Sequence, residues 1–344
     1  MTLISLLGGW LRSLIIALLT LALAIGIWVA WRLNQPAQID DDAHLAQKRQ
    51  YLQAIAAARP NLSGAPNFLF ILFDDLGYGD IGAGAAGNDM IRTPNIDALA
   101  AGGVTLTDFH SPAAVCSPAR AGYLTGRLPA RAGMPNVLFP TGSNKALVFS
   151  RILAAGNNTR LPAEEITLPE VLSAAGYNTG MVGKWHLGDA SPSLPNDFGF
   201  DSYYGALYSN DQQPFAFYRN QTVEVTAPAN QERMTEYYTR EAVQFIEQQG
   251  ERPFFLYFAH NFPHDPLHVR TERRGASRAG LFGDVMEEID DGIGAIVAAL
   301  EQGGHLDNTL ILISSDNGPW YLETMLNEID HGGAAYADSR AGYA

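Results

Sequence analysis

The chain has 344 residues, of which 22 are basic and 36 acidic, and its formal net charge is −14. A hydrophobic share of 47 % is enough for a packed core, which excludes wholesale disorder. The negative charge argues against general nucleic-acid binding, because such binding depends on a basic surface, so we expect no nucleic-acid partner. The single cysteine, Cys116, excludes an internal disulfide and a zinc site built from several cysteines.

The N-terminal region is a candidate membrane segment. Residues 13–31 are almost entirely apolar, with Arg12 before them and Arg32 after them. About 19 residues at ~1.5 Å each cover the ~30 Å hydrocarbon core of a bilayer, and tryptophans near both ends suit its interfaces. The pattern predicts a membrane anchor over residues 1–33. A cleaved signal peptide, whose apolar region is shorter, and a buried core helix are the alternatives.

The next region is predicted to connect the anchor to a globular domain. Residues 34–65 are polar and then rich in alanine and glutamine, and residues 43–58 are predicted to form a short stalk helix that ends before Pro60. Acidic residues 40–42 favour export of the chain beyond them, so we expect the downstream domain to be periplasmic or otherwise extracytoplasmic. If the N-terminal segment is cleaved, we expect a secreted protein.

From residue 66 onward, strand and helix patterns alternate. The predicted strands are 67–73, 104–109, 179–182, 254–259 and 309–314. The predicted helices begin at Thr93-Pro94, Ser117-Pro118, Leu168 and Leu281, and the last continues to Gln302. This alternation is typical of a doubly wound α/β domain with a mostly parallel sheet flanked by helices. Residues 142–158 and 203–230 are predicted to be long surface insertions.

Several predicted strands end directly in ionisable or polar residues. In open α/β sheets, sites form beyond the carboxyl ends of the strands. The residues in question are Asp74, Asp75, Lys184, His186, His260, His264, Asp316 and Asn317. The aspartates and Asn317 offer only oxygen donors, which suit hard divalent cations such as calcium or magnesium. The alternative is that these residues are ordinary turn formers.

The lone cysteine begins the segment Cys116-Ser-Pro-Ala-Arg120, at a predicted helix start. A helix N-terminus favours anions and activated nucleophiles. Arg120, about one turn later, is placed to hold an oxyanion or to orient the nucleophile. A buried structural cysteine is the alternative interpretation.

These segments carry a family resemblance. Residues 116–120, followed by Leu-Thr-Gly-Arg at 124–127, resemble the sulfatase C-x-P-x-R signature, and residues 176–188 resemble the second sulfatase signature. Further segments similar to family segments, in the family's order, are 74–80, 93–97 and 315–318. Over roughly residues 66–329, the chain resembles the formylglycine-dependent sulfatases of the arylsulfatase type, within the alkaline phosphatase-like superfamily.

The resemblance implies hydrolysis of sulfate esters, with release of sulfate and an alcohol or phenol. It implies that a formylglycine-generating maturation enzyme oxidises Cys116 to formylglycine, whose hydrated aldehyde attacks sulfur and later expels sulfate as the aldehyde re-forms. It also implies that Asp74, Asp75, Asp316 and Asn317, together with residue 116, hold Ca²⁺, with Mg²⁺ as the alternative.

The resemblance assigns roles to the remaining candidate residues. Arg120 resembles the arginine that holds the formylglycine diol and the metal-site carboxylates. Lys184 resembles the lysine that binds sulfate oxygens, and His186 the histidine that is hydrogen-bonded to the diol and acts as base in elimination. His264 fits the histidine near the leaving-group oxygen, and two other histidines lie nearby as alternatives.

The chain departs from the family pattern near its end. No lysine follows Lys184, whereas family members carry a second sulfate-binding lysine shortly after the Asp-Asn-Gly motif. The sequence diverges after Gly333, and the family's smaller C-terminal subdomain has no counterpart. We therefore expect residues 66–344 to form a C-terminally incomplete catalytic domain. The alternatives in function are a phosphonate monoester or phosphodiester hydrolase of the same superfamily, and an inactive cation-binding fragment.

Overall fold

The computed structural model describes residues 3–35, 40–58, 61–83, 89–153 and 159–319. Its α-helices are α1 (Leu3–Leu33), α2 (Asp42–Ala58), α3 (Pro94–Ala101), α4 (Cys116–Thr125), α5 (Leu168–Ala175), α6 (Met234–Glu247) and α7 (Gly280–Gln302). Its strands are β1 (Asn67–Phe73), β2 (Asn178–Gly183), β3 (Ser202–Gly205), β4 (Phe217–Arg219), β5 (Thr222–Val225), β6 (Phe254–Ala259) and β7 (Thr309–Ser315). A π-helical segment spans Ala146–Leu153, and short 3₁₀ turns span Pro195–Phe198, Gln231–Arg233, Thr271–Arg273 and Leu306–Asn308.

The strands form one mixed sheet in the order β5-β4-β3-β2-β6-β1-β7. The five strands from β3 to β7 in this order pair in parallel, and β3-β4 and β4-β5 pair antiparallel. In the centre, Phe70 lies opposite Tyr257 of β6 and Leu312 of β7. The continuous apolar runs of β1 and β6 have the composition expected of strands covered on both faces.

Each face of the sheet has its own core, because alternate residues of a strand point to opposite sides. On one face, Leu69 and Ile71 of β1 belong to a cluster that includes Val285 and Ile289 of α7. On the other face, Leu72 belongs to a cluster that also contains residues of α4 and of the loop after β2. The predicted α/β architecture, a mostly parallel sheet flanked by helices, is confirmed.

Helix α1 lies outside both cores. Residues Trp10–Leu33 are long and apolar enough to cross a membrane, by length and composition alone, and none of this span is buried within the protein. A core helix packs most of its surface, so this exposure argues against the core-helix alternative. An anchor and a signal sequence both fit the same observation.

The predicted stalk helix forms as α2, but it packs against the domain. Lys48 of α2 is buried, and its ammonium lies 2.6 Å from Oε1 of Glu170 in α5. The same ammonium donates to the carbonyl oxygens of Ala163 at 2.8 Å and Glu165 at 2.7 Å. The sequence indicated the helix but not its packing, because the residues that α2 contacts lie more than a hundred positions further along the chain. The domain boundaries at residues 33 and 65 stay a prediction.

Two predicted elements are wrong. Residues 104–109 form no strand but an irregular loop, and Val104 is 87 % exposed. Their apolar composition suits a strand, but in the described part of the chain no neighbouring strand pairs with them. Residues 203–230 are not simply a surface insertion: they carry most of β3 and all of β4 and β5, and they bury Tyr203 and Phe217. The strands in this segment are only three or four residues long and lie between polar turns, so the sequence shows no clear alternation of apolar and polar residues there.

Two other predictions need qualification. Helix α4 begins at Cys116, one residue before the predicted start. In the predicted insertion 142–158, the segment Ala146–Leu153 is π-helical, and residues 154–158 lie outside the described residues. The divergent tail also lies outside them, because the description ends at residue 319.

Candidate active site

The parallel pairing of β1 with β7 places four predicted ligands side by side. Phe73 pairs with Ser315, so the residues that follow each strand meet at the same edge. The backbone N–H of Asp75 donates to Oδ1 of Asp316 at 3.3 Å, and Nδ2 of Asn317 donates to Oδ1 of Asp75 at 2.5 Å. Asp75 has a φ of 65°, a conformation that aspartate adopts more readily than most residues. All four side chains, including that of Asp74, are buried.

Arg120 ties these carboxylates to the next strand. It lies about one turn into α4 and is fully buried. Its Nε donates to Oδ2 of Asp316 at 2.9 Å, and its Nη2 lies 2.9 Å from the same oxygen and 3.5 Å from Oδ1 of Asp74. Its Nη1 donates to the carbonyl oxygen of Lys184 at 2.7 Å. The guanidinium therefore connects the ends of β1, β2 and β7.

Lys184 follows β2 and points its ammonium into the same cluster. It donates a short hydrogen bond to Oδ2 of Asp74 and a second one, of 3.0 Å, to Oγ of Ser209. Burial alone would lower the pKa of Lys184, but the charge of Asp74 raises that pKa above its usual value. The ammonium therefore remains charged despite being fully buried.

The cluster brings three carboxyl groups close together in a buried place. Three carboxylates, those of Asp74, Asp75 and Asp316, face the two cations Lys184 and Arg120. Burial would raise the pKa of Asp74, but the two cations hold it well below its usual range. Burial, and then repulsion by Asp74, raises the pKa of Asp316 well above normal, and burial likewise raises that of Asp75. A divalent cation bound among these carboxyl groups would relieve their mutual repulsion and favour their ionised forms.

The donor atoms fit a hard divalent cation. Asp74, Asp75, Cys116 and Asp316 each offer one ligand atom, and these atoms all lie within 4.8 Å of one another. Oδ1 of Asp74 and Oδ1 of Asn317 are buried and have no hydrogen-bond partner among the described residues. Buried polar atoms without partners are costly, so such oxygens indicate a ligand. Oxygen-rich sets of this kind suit calcium or magnesium.

Cys116 lies against this cluster at the first position of α4 and is buried. Burial, and then the negative charge of Asp74, raises the pKa of its thiol well above the usual value. The position at a helix N-terminus therefore does not activate the thiol itself. The cysteine as encoded is protonated at neutral pH.

Two histidines border the cluster, and their surroundings shift their pKa values in opposite directions. Nε2 of His186 lies 3.0 Å from the carbonyl oxygen of Leu138, which can only accept, so Nε2 carries the proton and Nδ1 the lone pair. Burial and the nearby cations lower the pKa of His186 well below normal. Nε2 of His264 lies 3.8 Å from Oδ2 of Asp75, and this carboxylate raises the pKa of His264 although burial opposes the shift.

The two alternative histidines do not reach the cluster. Nδ1 of His260 accepts the N–H of Phe262 at 2.9 Å, and its Nε2 lies 3.2 Å from Oγ1 of Thr235. Burial lowers the pKa of His260 to about 3, so it is neutral and positions the loop after β6. His268 contacts the ring of Phe262. The structure therefore brings His264 to the carboxylates, and the chemical roles of the site residues stay predictions.

Sequence reasoning missed the serines that support the site. Ser209 binds Lys184, and Oγ of Ser111 donates to the carbonyl oxygen of Asp316 at 2.5 Å. Oγ of Ser315 accepts the N–H of Leu76 at 3.0 Å. Serines are common in turns, and only the position of Ser315 directly before Asp316 was a signal in the sequence.

Comparison with known proteins supports the fold and the family resemblance seen in the sequence. The family model described as Sulfatase matches residues 66–343. The chain belongs to the sulfatase family. Arylsulfatase A of Bos taurus is 38 % identical, over 82 % of this chain and 55 % of that protein. N-acetylgalactosamine-6-sulfatase of Mus musculus is 35 % identical, over 78 % of this chain and 52 % of that protein. These relatives are named sulfatases, which are sulfuric ester hydrolases.

Solved sulfatase structures share the fold. The PsFucS1 sulfatase from Pseudoalteromonas sp. aligns with a TM-score of 0.63 and 31 % identity, over 81 % of this chain and 60 % of that one. The structure of Ps i-CgsB with k-i-k-neocarrahexaose aligns with a TM-score of 0.62 and 32 % identity, over 74 % of this chain and 59 % of that one. The chain spans about half the length of the curated sulfatases that it matches.

Proposed function

We propose that this sulfatase-family chain hydrolyses sulfate esters in the manner of an arylsulfatase, with formylglycine at position 116 and a bound divalent cation, preferably calcium. The observation that carries the proposal is that Cys116 lies within 4.8 Å, ligand atom to ligand atom, of three buried aspartates. Arg120 pairs with Asp74 and Asp316, and Lys184 pairs with Asp74. The proposal assigns sulfate esters as substrates and a formylglycine-generating enzyme as the maturation partner.

The chemistry of the proposed groups determines what the protein must supply. A bound divalent cation polarises a sulfate oxygen, and a hydrated aldehyde at position 116 provides the attacking hydroxyl. Asp74, Asp75, Asp316 and Asn317 would hold the cation through oxygens that include the two buried atoms without partners. A protonated thiol has no hydroxyl to attack sulfur, and it cannot expel sulfate by re-forming an aldehyde. The proposal therefore requires oxidation of Cys116.

Lys184 is suited to bind a sulfate oxygen. It is charged, and within the described part of the chain two of its three N–H groups are used, by Asp74 and Ser209. The third can donate to an anionic oxygen of the substrate. A charged donor in a buried site stabilises developing negative charge strongly, because water does not screen it.

The two histidines provide opposite proton-transfer functions. His186 is neutral, and its Nδ1 is buried, with no partner among the described residues, so it can accept a proton from a hydroxyl at position 116. Asp75 raises the pKa of His264, which favours the charged imidazolium, so His264 can donate a proton to the leaving-group oxygen. Acid and base are thereby separated by their surroundings.

The proposal also places the protein in the cell. Residues 1–33 anchor the chain in a membrane, residues 34–65 connect the anchor to the domain, and residues 66–344 form the catalytic domain on the extracytoplasmic side. Support comes from the exposed apolar span Trp10–Leu33 and the acidic residues beyond it. Cleavage of the same span would instead yield a secreted enzyme.

The test is hydrolysis of an aryl sulfate by the full chain, co-expressed with a formylglycine-generating enzyme and assayed with calcium. Cys116→Ala is the inactive control, and intact-mass measurement reports formylglycine at position 116. We expect turnover that requires both the modified residue and the cation. A chain with confirmed formylglycine, loaded with calcium and turning over no sulfate ester, contradicts the proposal. Faster hydrolysis of a matched phosphate diester or phosphonate monoester would favour the alternative activity.

A further inference from the structure

The π-helical segment Ala146–Leu153 exposes an apolar face. Ala146 and Ser150 point inward and are buried. The outward-facing apolar side chains, which we call the apolar ledge, are Leu147, Val148, Phe149 and Leu153. They are between 38 % and 59 % exposed. Large apolar side chains grouped on one surface mark sites of interaction with a protein or a membrane.

The apolar ledge lies at the end of helix α1. Nε of Arg32 donates to the carbonyl oxygen of Ile152 at 3.0 Å, and Nη2 of Arg151 donates to the carbonyl oxygen of Leu33 at 3.1 Å. The candidate membrane span ends at Leu33. The two hydrogen bonds therefore hold the ledge at the level at which α1 would leave the hydrocarbon core.

We propose that the apolar ledge is a second membrane contact, which inserts into the boundary between the headgroups and acyl chains of the bilayer crossed by α1. This inference rests on the membrane anchor in the proposed function. A short amphipathic segment with apolar side chains on one face and cations beside it is the pattern of an interfacial helix. Arg32 and Arg151 would lie at headgroup level, where anionic phosphates attract them.

The position of the ledge favours a bilayer over a protein partner. The segment that carries the ledge is joined by hydrogen bonds to the end of α1, whose apolar side chains are also exposed. A bilayer around α1 would meet the ledge without any further binding partner. The junction carries two positive charges, Arg32 and Arg151, although the whole chain has a net charge of −14. Positive charge at this place suits the anionic phosphates of a bilayer surface.

The ledge is connected to the candidate active site by short contacts. The ring of Phe149 lies 5.6 Å from that of Phe139, centroid to centroid. The preceding residue, Leu138, accepts from His186 and donates its N–H to Oγ of Ser117 at 3.0 Å. A ledge held in the bilayer would therefore hold this side of the site beside the lipid surface.

The test measures the membrane depth of single nitroxide labels on the full chain in vesicles of phosphatidylcholine and phosphatidylglycerol. The labels are introduced by Phe149→Cys, Leu21→Cys or Val223→Cys in a Cys116→Ala background, which removes the only native thiol. Leu21 reports on α1, and Val223, a comparably exposed residue on β5, is the matched control. The measured quantity is accessibility to oxygen relative to a water-soluble nickel chelate.

We expect the labels at positions 149 and 21 to favour oxygen by several-fold relative to the label at position 223. If the label at position 21 lies in lipid and the label at position 149 lies in water, the proposed membrane contact of the ledge is wrong and the anchor is unaffected. A label at 21 in water overturns both. Because Phe149 also contacts Phe139, Val148→Cys serves as a second probe if the first variant fails to fold, with the same expected result.

Discussion

Two buried lysines, Lys48 and Lys184, each pair with a buried carboxylate, yet their surroundings differ. The ammonium of Lys48 lies beside Glu170 and donates to two backbone carbonyls, so all three of its N–H groups have partners. The ammonium of Lys184 donates to Asp74 and Ser209, and its third N–H has no partner in the described part of the chain. The first pair is complete, and the second leaves a donor available.

The carboxylates repeat this contrast. Oε2 of Glu170 accepts the N–H and the hydroxyl of Thr167, which completes the capping box of α5. Around Lys184, one buried oxygen each of Asp74 and Asn317 lacks a hydrogen-bond partner among the residues described. Buried charge by itself therefore does not distinguish a site from structural packing. Unpartnered oxygens grouped with several buried charges are a better indicator, because a ligand bound among them would supply the missing partners.

The largest expected effect is loss of stability in Lys48→Met. Removing one partner of a buried ion pair leaves Glu170 uncompensated, which costs about 3–5 kcal/mol of unfolding free energy. The measurement is denaturant unfolding of the full chain in detergent. Lys48→Met with Glu170→Gln should recover much of the loss, because no buried charge remains. As a control, Arg233→Ala removes the exposed pair with Glu236 and should change stability far less, because water screens an exposed pair. A loss in Lys48→Met no larger than that of the control would refute the role of the pair.

Next in size is the loss of turnover in Lys184→Met. Removal of one charged donor from a buried site should lower kcat on an aryl sulfate by about 10²–10³-fold. The matched control is Lys48→Met, assayed below its own melting temperature, which should keep kcat within a small factor of the unsubstituted chain. Equal losses in the two variants would mean that both lysines act through the fold alone.

Calcium should stabilise the chain through the carboxylates of the candidate active site and not through the structural carboxylate of Glu170. At about 100 times Kd, a ligand that binds only the folded state adds about 2.7 kcal/mol. Asp316→Asn should abolish the calcium-dependent rise in Tm, whereas Glu170→Gln should retain it, although both substitutions remove a buried carboxylate. Thermal unfolding with calcium and with chelator measures the difference. An unchanged calcium response in Asp316→Asn would place the cation elsewhere.

A smaller effect concerns pH. The folded-state pKa of His260 is about 3, whereas the ordinary value is 6.5, so below pH 6.5 the unfolded chain binds a proton that the folded chain excludes. His260 therefore lowers stability as pH falls from about 7 towards 3, with a slope of at most about 1.4 kcal/mol per pH unit. Unfolding of His260→Gln across this range should show a shallower acid slope than the unsubstituted chain. Equal acid slopes for His260→Gln and the unsubstituted chain would contradict the assignment of this pH dependence to His260.

Much of the fold and site could be predicted because the decisive signals were local. The apolar runs of β1, β6 and β7 and the spacing of α7 indicated buried elements, and the polar residues after the strands indicated the edge where a site forms. The family motifs then pointed to Cys116 and Arg120, and the family was confirmed. Local patterns failed at residues 104–109, where apolar composition had no pairing strand, and at β4 and β5, which are too short to show a period.

The sequence by itself determined the alternating architecture, the family and the residues at the strand ends. Only the tertiary structure decided that His264 and not His260 meets the carboxylates, that α2 packs on α5 through Lys48, and that the apolar ledge lies at the end of α1. The physical reason is that a local pattern reports the burial of a side chain, whereas its partners depend on chain segments a hundred or more residues away.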